Sequence, residues 1–355
     1  MIDPTKGGEL MKAGVRAVPV TLSTRIRLAR NLRDYPFPGW AETSQRRAVL
    51  SACREAAESL KTFKDPISFE VEDLSDLQKL VLVERHVISR ELLQIDEAAG
   101  AVLSADQSVS IMINEEDHLR MQVLRRGFDF KGVWKTAKKM DMEMESALDY
   151  AFSSDYGFLT ACPTNLGTGM RASVMMHLPG LFMSKHMEKV IRGVNELGIA
   201  VRGLFGEGTD ASGNIFQISN QQTLGEGEED ILERLGKTLE QVKTQEINAR
   251  ESILENSKQM LFDKIGRAYG LLGNAYMMTS SDAMDHLSFM RLAVDYGFLP
   301  EKCRATIDAS FIECQPGHVQ YQVGRNVEPE ERDGMRAEFL RLKFAKFPSL
   351  GFDKA

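Results

Sequence analysis

Several segments of this 355-residue chain gather arginines, acids, glycines and a cysteine at spacings that could do chemistry. The first is Ser23-Thr24-Arg25-Ile26-Arg27, within the strand-like run VPVTLSTRIRLARN. Side chains alternate along a strand, so residues 23, 25 and 27 share one face. Two guanidinium groups side by side repel unless an anion lies between them, and their planar forks match phosphate oxygens. An exposed edge strand carrying two solvated arginines would look the same. The second is Asn114-Glu115-Glu116-Asp117-His118-Leu119-Arg120, directly after the alternating run SVSIMIN (108–114). Glu116 and Arg120 share a face whether the chain is extended or helical. The competing expectation is an acidic helix start, which the helix dipole favours.

The third segment is Cys162-Pro163-Thr164-Asn165-Leu166-Gly167-Thr168-Gly169-Met170-Arg171. A glycine-rich loop entering a helix would offer N–H groups to an anion. The positive potential there would lower the pKa of Cys162, which could equally be a small buried hydrophobe. The fourth is Arg202-Gly203-Leu204-Phe205-Gly206-Glu207-Gly208, a strand end passing into glycines, or simply a hairpin connection. Near the end, ERDGMRAEFLRLKF places Arg332 and Arg336 on one helix face, where they could grip a phosphate while Asp333 meets a cation. A solvated amphipathic helix explains that spacing as well.

The elements that must position these residues read as a mixture. Strands are predicted at 18–31, 108–114, 156–162, 201–205 and 214–221. Helices are predicted over 41–63, 75–95 and 130–152, and over 171–196 with a break at Pro179-Gly180. This order lacks a regular βαβ alternation, so the expectation is an α+β fold with an antiparallel sheet. After about residue 226 the texture is long, charged and helical, which puts a domain boundary near 255.

Composition narrows the classes. Hydrophobic residues make up 43% and charged residues 27%, as in a folded globular chain. The net charge is −7, from 44 basic and 51 acidic residues, so there is no global attraction to nucleic acid or an anionic membrane. The four cysteines form no CxxC pair, which suits a reducing compartment and no zinc ribbon. No signal-like segment and no apolar run of spanning length is present, so a cytoplasmic location is expected.

Three motifs are decoys. Gly167-Thr168-Gly169-Met170-Arg171-Ala172 fits G-x-G-x-x-A, but no acidic strand end follows at the right distance. Gly236-Lys237-Thr238 resembles a P-loop ending, with Ile231 where the first glycine belongs. The basic, aromatic run 124–139 passes straight into acids and reads as a solvated helix face.

Taken together, the S-x-R-x-R strand, NEEDH-x-R, the CPTNLGTG-x-R loop and the later Arg-Gly strand resemble the ATP:guanidino phosphotransferases, the family of creatine and arginine kinases. The likeness covers roughly residues 18–250. Within the family it is greatest to the branch that phosphorylates arginines in proteins. Only 22 residues precede Ser23, where kinases of small guanidines carry a helical domain, and RDGMRA (332–337) matches that branch's RDxxRA motif.

The resemblance implies a catalytic domain over 1–254 with a glutamine synthetase-like antiparallel sheet flanked by helices, and an all-helical domain over 255–355. It implies transfer of the ATP γ-phosphoryl group to protein arginines, with free arginine or another small guanidine as the alternative acceptor. A catalytically idle phosphoarginine-binding adaptor is a third possibility, against which the intact Glu116, Cys162 and arginines count. By the same resemblance Arg25, Arg27, Arg120, Arg171 and Arg202 clamp phosphates, Glu116 is the catalytic carboxylate and Cys162 lies against the guanidinium. The nucleotide site would comprise Ser23, Thr24, Arg25, Ile26 and Arg27, His86 at the adenine, Arg120, Arg171, Ala172, Ser173, Val174 and Met175, and Arg202, Gly203, Leu204, Phe205, Gly206 and Glu207. Met175 stands where many relatives have a histidine. Mg²⁺ would arrive with ATP, held by phosphates and water rather than by protein ligands. Arg332, Asp333 and Arg336 would sense phosphoarginine on a domain that also dimerises. The implied partners are protein substrates, a zinc-binding activator protein, a Clp protease system and a stress-response repressor, with neither nucleic acid nor membrane.

Overall fold

The computed structural model describes residues 8–11, 19–63, 65–203 and 212–354. Its strands are β1 Thr21–Arg30, β2 Ile67–Glu70, β3 Gly100–Leu103, β4 Val109–Ile113, β5 Leu119–Arg126, β6 Phe152–Ser153, β7 Gly157–Phe158, β8 Met170–His177, β9 Ile199–Gly203 and β10 Ile215–Asn220. Its helices are α1 Thr43–Glu58, α2 Asp76–Glu84, α3 Phe130–Glu145, α4 Pro179–Met183, α5 Met187–Glu196, α6 Glu228–Asn256, α7 Lys258–Asn274, α8 Ser280–Asp295, α9 Arg304–Glu313, α10 Pro316–Val323 and α11 Pro329–Phe344. The chain divides into two compact units. The first is built mainly from Ser23–Val174 with Ser219–Gly236, the second mainly from Met175–Ile218 with Lys237–Ala355.

In the first unit the strands run in the order β2-β3-β4-β5-β1-β8-β10. The pairs β2–β3, β3–β4, β4–β5 and β1–β5 are antiparallel, as the sequence reading expected. β1 is laid against β5 with Arg27 opposite Gln122 and Ala29 opposite Arg120. Opposite residues of a pair point to the same side of the sheet. One face of β1 and β5 therefore carries Arg25, Arg27, Arg120 and Gln122. The other face puts Ile26, Leu28, Met121 and Val123 into the core, each at most 1% exposed. Thr24 also belongs to the structure: its hydroxyl donates to Gly127 O (2.7 Å) and accepts from Asp129 N (3.0 Å). Asp129 in turn caps α3 through Gly132 N (2.8 Å).

Three expected elements differ. The run MRASVMMH, expected to begin a helix, is the strand β8. Alanine and methionine are good helix formers, but six of these residues after Arg171 are buried on both faces, as befits a strand deep in a sheet. The helix expected over 75–95 stops at Glu84, and the strand expected over 156–162 shrinks to Gly157–Phe158. Asn114–His118 is the turn of the β4–β5 hairpin rather than a helix start.

In the second unit β8 and β10 continue, with β9 beside β10. Its core joins Met175 and Ile215 to Leu261, Ile265, Leu287, Met290, Ile307, Leu340 and Phe344 from α7, α8, α9 and α11. Beside this core Arg250 pairs with Glu246 and Asp295 (both 2.5 Å), Arg304 with Asp295 (2.7 Å) and Arg291 with Asp308 (3.0 Å). Glu246 also accepts from Gly180 N and Leu181 N (2.9 and 2.8 Å), which fixes the start of α4. No helix among the described residues is long and apolar enough to cross a membrane.

Candidate active site

The arginine face of the first unit is the centre of the site. Arg25 Nε donates to Ser173 Oγ on β8 (3.5 Å), and Arg171 Nη2 donates to Ser219 Oγ (3.2 Å). The pKa of Arg25 is pushed down to about 10, first by burial and then by the charges of Arg171 and Arg120. Arg27 is lowered further, by burial and then by Arg25, Arg120 and Arg171, with only Glu115 opposing. Burial accounts for the largest part of both shifts, and the part that comes from other guanidinium groups is one that an anion would relieve.

Acids gather at the turn beside this face. Arg120 Nη1 donates to Glu115 Oε1 (2.6 Å) and Nη2 to Glu116 Oε2 (3.2 Å). Glu115 is buried and also accepts from Ser89 Oγ. Glu116 keeps 43% of its side chain exposed. Its pKa is raised by burial and then by Asp117, Arg120 opposing. Arg120 thus joins a positive half, made of Arg25, Arg27 and Arg171, to a negative half, made of Glu115, Glu116 and Asp117.

No spacing in the sequence points to what holds the two halves. Asp117 is fully buried, and its Oδ1 accepts from Asn31 Nδ2 and from Ala161 N, both at 2.7 Å. Asn31 Oδ1 accepts from His118 N (2.9 Å). A single carboxylate oxygen therefore ties the end of β1 and the residue before Cys162 to the residue after Glu116. Asp117 Oδ2 is buried without a hydrogen-bond partner among the described residues. Cys162 is partly exposed, with Sγ 2.9 Å from Thr164 Oγ1.

The glycine loop does something other than expected. It enters a strand, not a helix, and its N–H groups are engaged internally: Gly167 N donates to Phe158 O (3.4 Å) and Thr168 N to Thr223 O (2.9 Å). Gly167 and Gly169 have φ of +107° and +63°. A Cβ on them would stand 2.3 Å from Thr223 O and 2.6 Å from Ala29 O. Close backbone packing, not an anion, requires these glycines. Arg30 locks the loop: it pairs with Asp141 (2.6 Å), donates to Thr168 O (2.9 Å) and lies 3.5 Å over the Phe158 ring.

His86 follows α2 in a turn, with φ +57°, rather than on a helix. Gln122, on the arginine face, donates to His86 O (2.7 Å). Burial, then Arg25 and Arg90, push its imidazole down to about 3, so the ring is neutral near pH 7. Ser23 and Ile26 are buried, as are Ala172, Ser173, Val174 and Met175, and Met175 packs into the core of the second unit. Arg202 is exposed at the end of β9, in the second unit, with Gly203 after it. Leu204, Phe205, Gly206 and Glu207 lie outside the described residues.

On α11, Arg336 is 1% exposed and donates to Cys314 O (2.7 Å), Met278 O (2.8 Å) and Asp333 Oδ1 (2.5 Å). The expected grip of two arginines on one phosphate thus meets an Arg336 already bonded into the fold. Arg332 Nε is buried without a hydrogen-bond partner among the described residues.

A face rich in arginines thus meets a cluster of carboxylates at Arg120, and the residue before Cys162 is pinned to one of those carboxylates. The chain belongs to the ATP:guanido phosphotransferase family, whose C-terminal catalytic domain model matches residues 48–249. Residues 258–355 match the model described as the protein-arginine kinase McsB C-terminal domain. The protein-arginine kinase of Brevibacillus brevis is 41% identical over 324 residues, 91% of each chain. That of Shouchella clausii is 41% identical over 343 residues, 93% of each chain. Among solved structures, lombricine kinase matches with a TM-score of 0.58 and 25% identity, covering 72% of this chain and 71% of that one.

Proposed function

We propose that this phosphotransferase moves the γ-phosphoryl group of ATP to the guanidinium of arginine side chains in proteins. The observation that carries the reading is the two-sided site joined at Arg120. A polyphosphate suits the potential that lowers Arg25 and Arg27, and a guanidinium suits Glu115 and Glu116. Protein arginine as the acceptor is supported by the names of the relatives and by the match of residues 258–355.

Phosphoryl transfer asks mainly for alignment and charge neutralisation. Arg25, Arg27 and Arg171 supply fixed positive charge for the donor's phosphates. Mg²⁺, bound to the phosphates, would add the remaining neutralisation. Arginine has a pKa near 13.8, so presenting a neutral guanidine at pH 7 costs roughly 9 kcal/mol. Glu116 offsets part of that by taking the proton as the N–P bond forms, and its raised pKa makes it a better base than a solvated glutamate. Cys162, tied to the acids through Asp117 and Ala161, helps to seat the guanidinium. His86, neutral beside Arg25, offers the adenine a flat uncharged face. For Arg202 the family resemblance alone supports a role at the transferring group.

In residues 255–355 we read a phosphoarginine-binding and dimerisation domain. Arg332 would supply the free donor, while Arg336 holds Asp333 in place to meet the ligand's guanidinium. The family motif and the orphaned Arg332 Nε support this reading. A role in marking proteins for a Clp protease, a zinc-binding activator, a homodimer, a stress response and a cytoplasmic location rest on the resemblance.

The test incubates the protein with Mg-ATP and either casein or free arginine, then measures acid-labile phosphate, because an N–P bond hydrolyses in acid and a serine ester does not. Casein should be labelled, and Glu116→Gln should lose at least 100-fold in turnover while binding ATP within threefold of wild type. Labelling of free arginine alone would assign the activity to small guanidines.

A further inference from the structure

The geometry points to the loop Arg33–Ala41 as a docking platform for the substrate polypeptide, with Trp40 stacking on a basic side chain that flanks the target arginine. The inference rests on the protein-substrate reading above. Trp40 is 89% exposed, the most exposed large hydrophobic side chain among the described residues. An indole in that position adds little to the fold, whereas exposed tryptophans on rigid supports are the usual anchors of protein recognition.

The support is rigid. Trp40 N and Ala41 N both donate to Phe37 O (2.8 and 3.0 Å), and Pro38 is buried. The rings of Tyr35 and Phe37 stand edge-on to His118, with centroids 6.3 and 6.5 Å away. His118 Nδ1 accepts from Leu32 N (3.0 Å), so Nε2 carries the hydrogen and donates to Pro36 O (2.9 Å). The same imidazole that follows Glu116-Asp117 in the chain therefore anchors the loop. The platform and the catalytic carboxylate share one mount, and a polypeptide held on the first is held in a fixed relation to the second.

Charge selects the occupant. Arg33 forms an exposed ion pair with Asp149 at 3.6 Å. Asp34 and Glu42, both exposed, lie six residues before and two residues after Trp40 in the chain. An exposed aromatic face on a loop with carboxylates at both ends favours a cation over an apolar or acidic side chain. A lysine or a second arginine in the substrate is the group it fits.

The experiment uses the full chain and synthetic peptides that carry one arginine in an alanine-glycine background, with a lysine scanned through the flanking positions. With wild type, lysine at one or two positions should lower KM about fivefold, equivalent to about 1 kcal/mol, with kcat within twofold. Trp40→Ala should erase that preference and leave the lysine-free peptide unchanged, while Trp40→Phe retains part of it. A lysine preference that survives Trp40→Ala, or an equal loss on both kinds of peptide, overturns the inference. If wild type labels free arginine but no peptide and no casein, the protein-substrate reading fails, and this inference falls with it for that separate reason.

Discussion

Two groups of arginines, one in each unit, are used in opposite ways. In the second, Arg250, Arg291 and Arg304 are each matched by buried carboxylates. Burial lowers the pKa of Arg250, but Glu246 and Asp295 raise it by more. In the first, burial lowers the pKa values of Arg25 and Arg27, and the charges of neighbouring arginines, Arg120 and Arg171 among them, lower them further. A guanidinium that its surroundings already neutralise holds the protein together. A guanidinium whose charged neighbours are mostly other guanidinium groups adds to a field that favours an anion.

The sharpest way to break this comparison is to delete one arginine of each kind. Arg250→Ala strands Glu246 and Asp295 in the interior and should cost about 3–5 kcal/mol of unfolding free energy. Arg27→Ala should leave stability unchanged or slightly raised, because it removes like-charge repulsion, yet lower kcat/KM by about 100-fold. Chemical denaturation and steady-state kinetics on both variants decide the matter. If Arg27→Ala destabilises as much as Arg250→Ala, the positive cluster is structural.

A smaller effect sharpens the acidic half. The proposed base Glu116 must be ionised to accept a proton, and its pKa is raised, so activity should be lost as pH falls through that raised value. Asp117→Asn keeps an oxygen for Asn31 and Ala161 but removes the charge next to Glu116. The acid limb of the pH–rate profile should then move to lower pH, by up to about one unit. A limb that stays in place would mean that the titrating group is not Glu116.

The smallest expected change concerns thiols. Cys53, Cys303 and Cys314 are at most 6% exposed, whereas Cys162 is partly open. Mild alkylation followed by mass spectrometry should modify Cys162 first, and ATP with a peptide should protect it. Equal labelling of all four would detach Cys162 from the site.

Much of this was readable from residue order because strand alternation is a short-range rule. It placed Arg25 and Arg27 on one face and paired Glu116 with Arg120, as the structure has them. The glycine loop misled because MRASVMMH satisfies helix propensity locally, and only neighbours far away in sequence make it a strand. The pairing of Asn31 with Asp117 is not legible in the sequence for a related reason. Their partnership spans 86 residues and depends on burial, which neither side chain advertises in a linear pattern. The arginine of RDGMRA was expected to face a ligand and instead closes three internal bonds, because spacing tells which face a residue shares but not which neighbour covers it.

The register of β1 also sets a timetable for the chain as it is made. This strand lies between β5 and β8, and Thr24 closes its bond with Gly127 across 103 residues. As the N-terminal end leaves the ribosome, the arginine strand has neither neighbour, and both must be synthesised before it can be zipped in. Through that interval its paired cations keep an otherwise open edge from joining other strands. The charges proposed to receive phosphate would thus serve first as a guard during birth, before the hairpin and the strand after the glycine loop close around them.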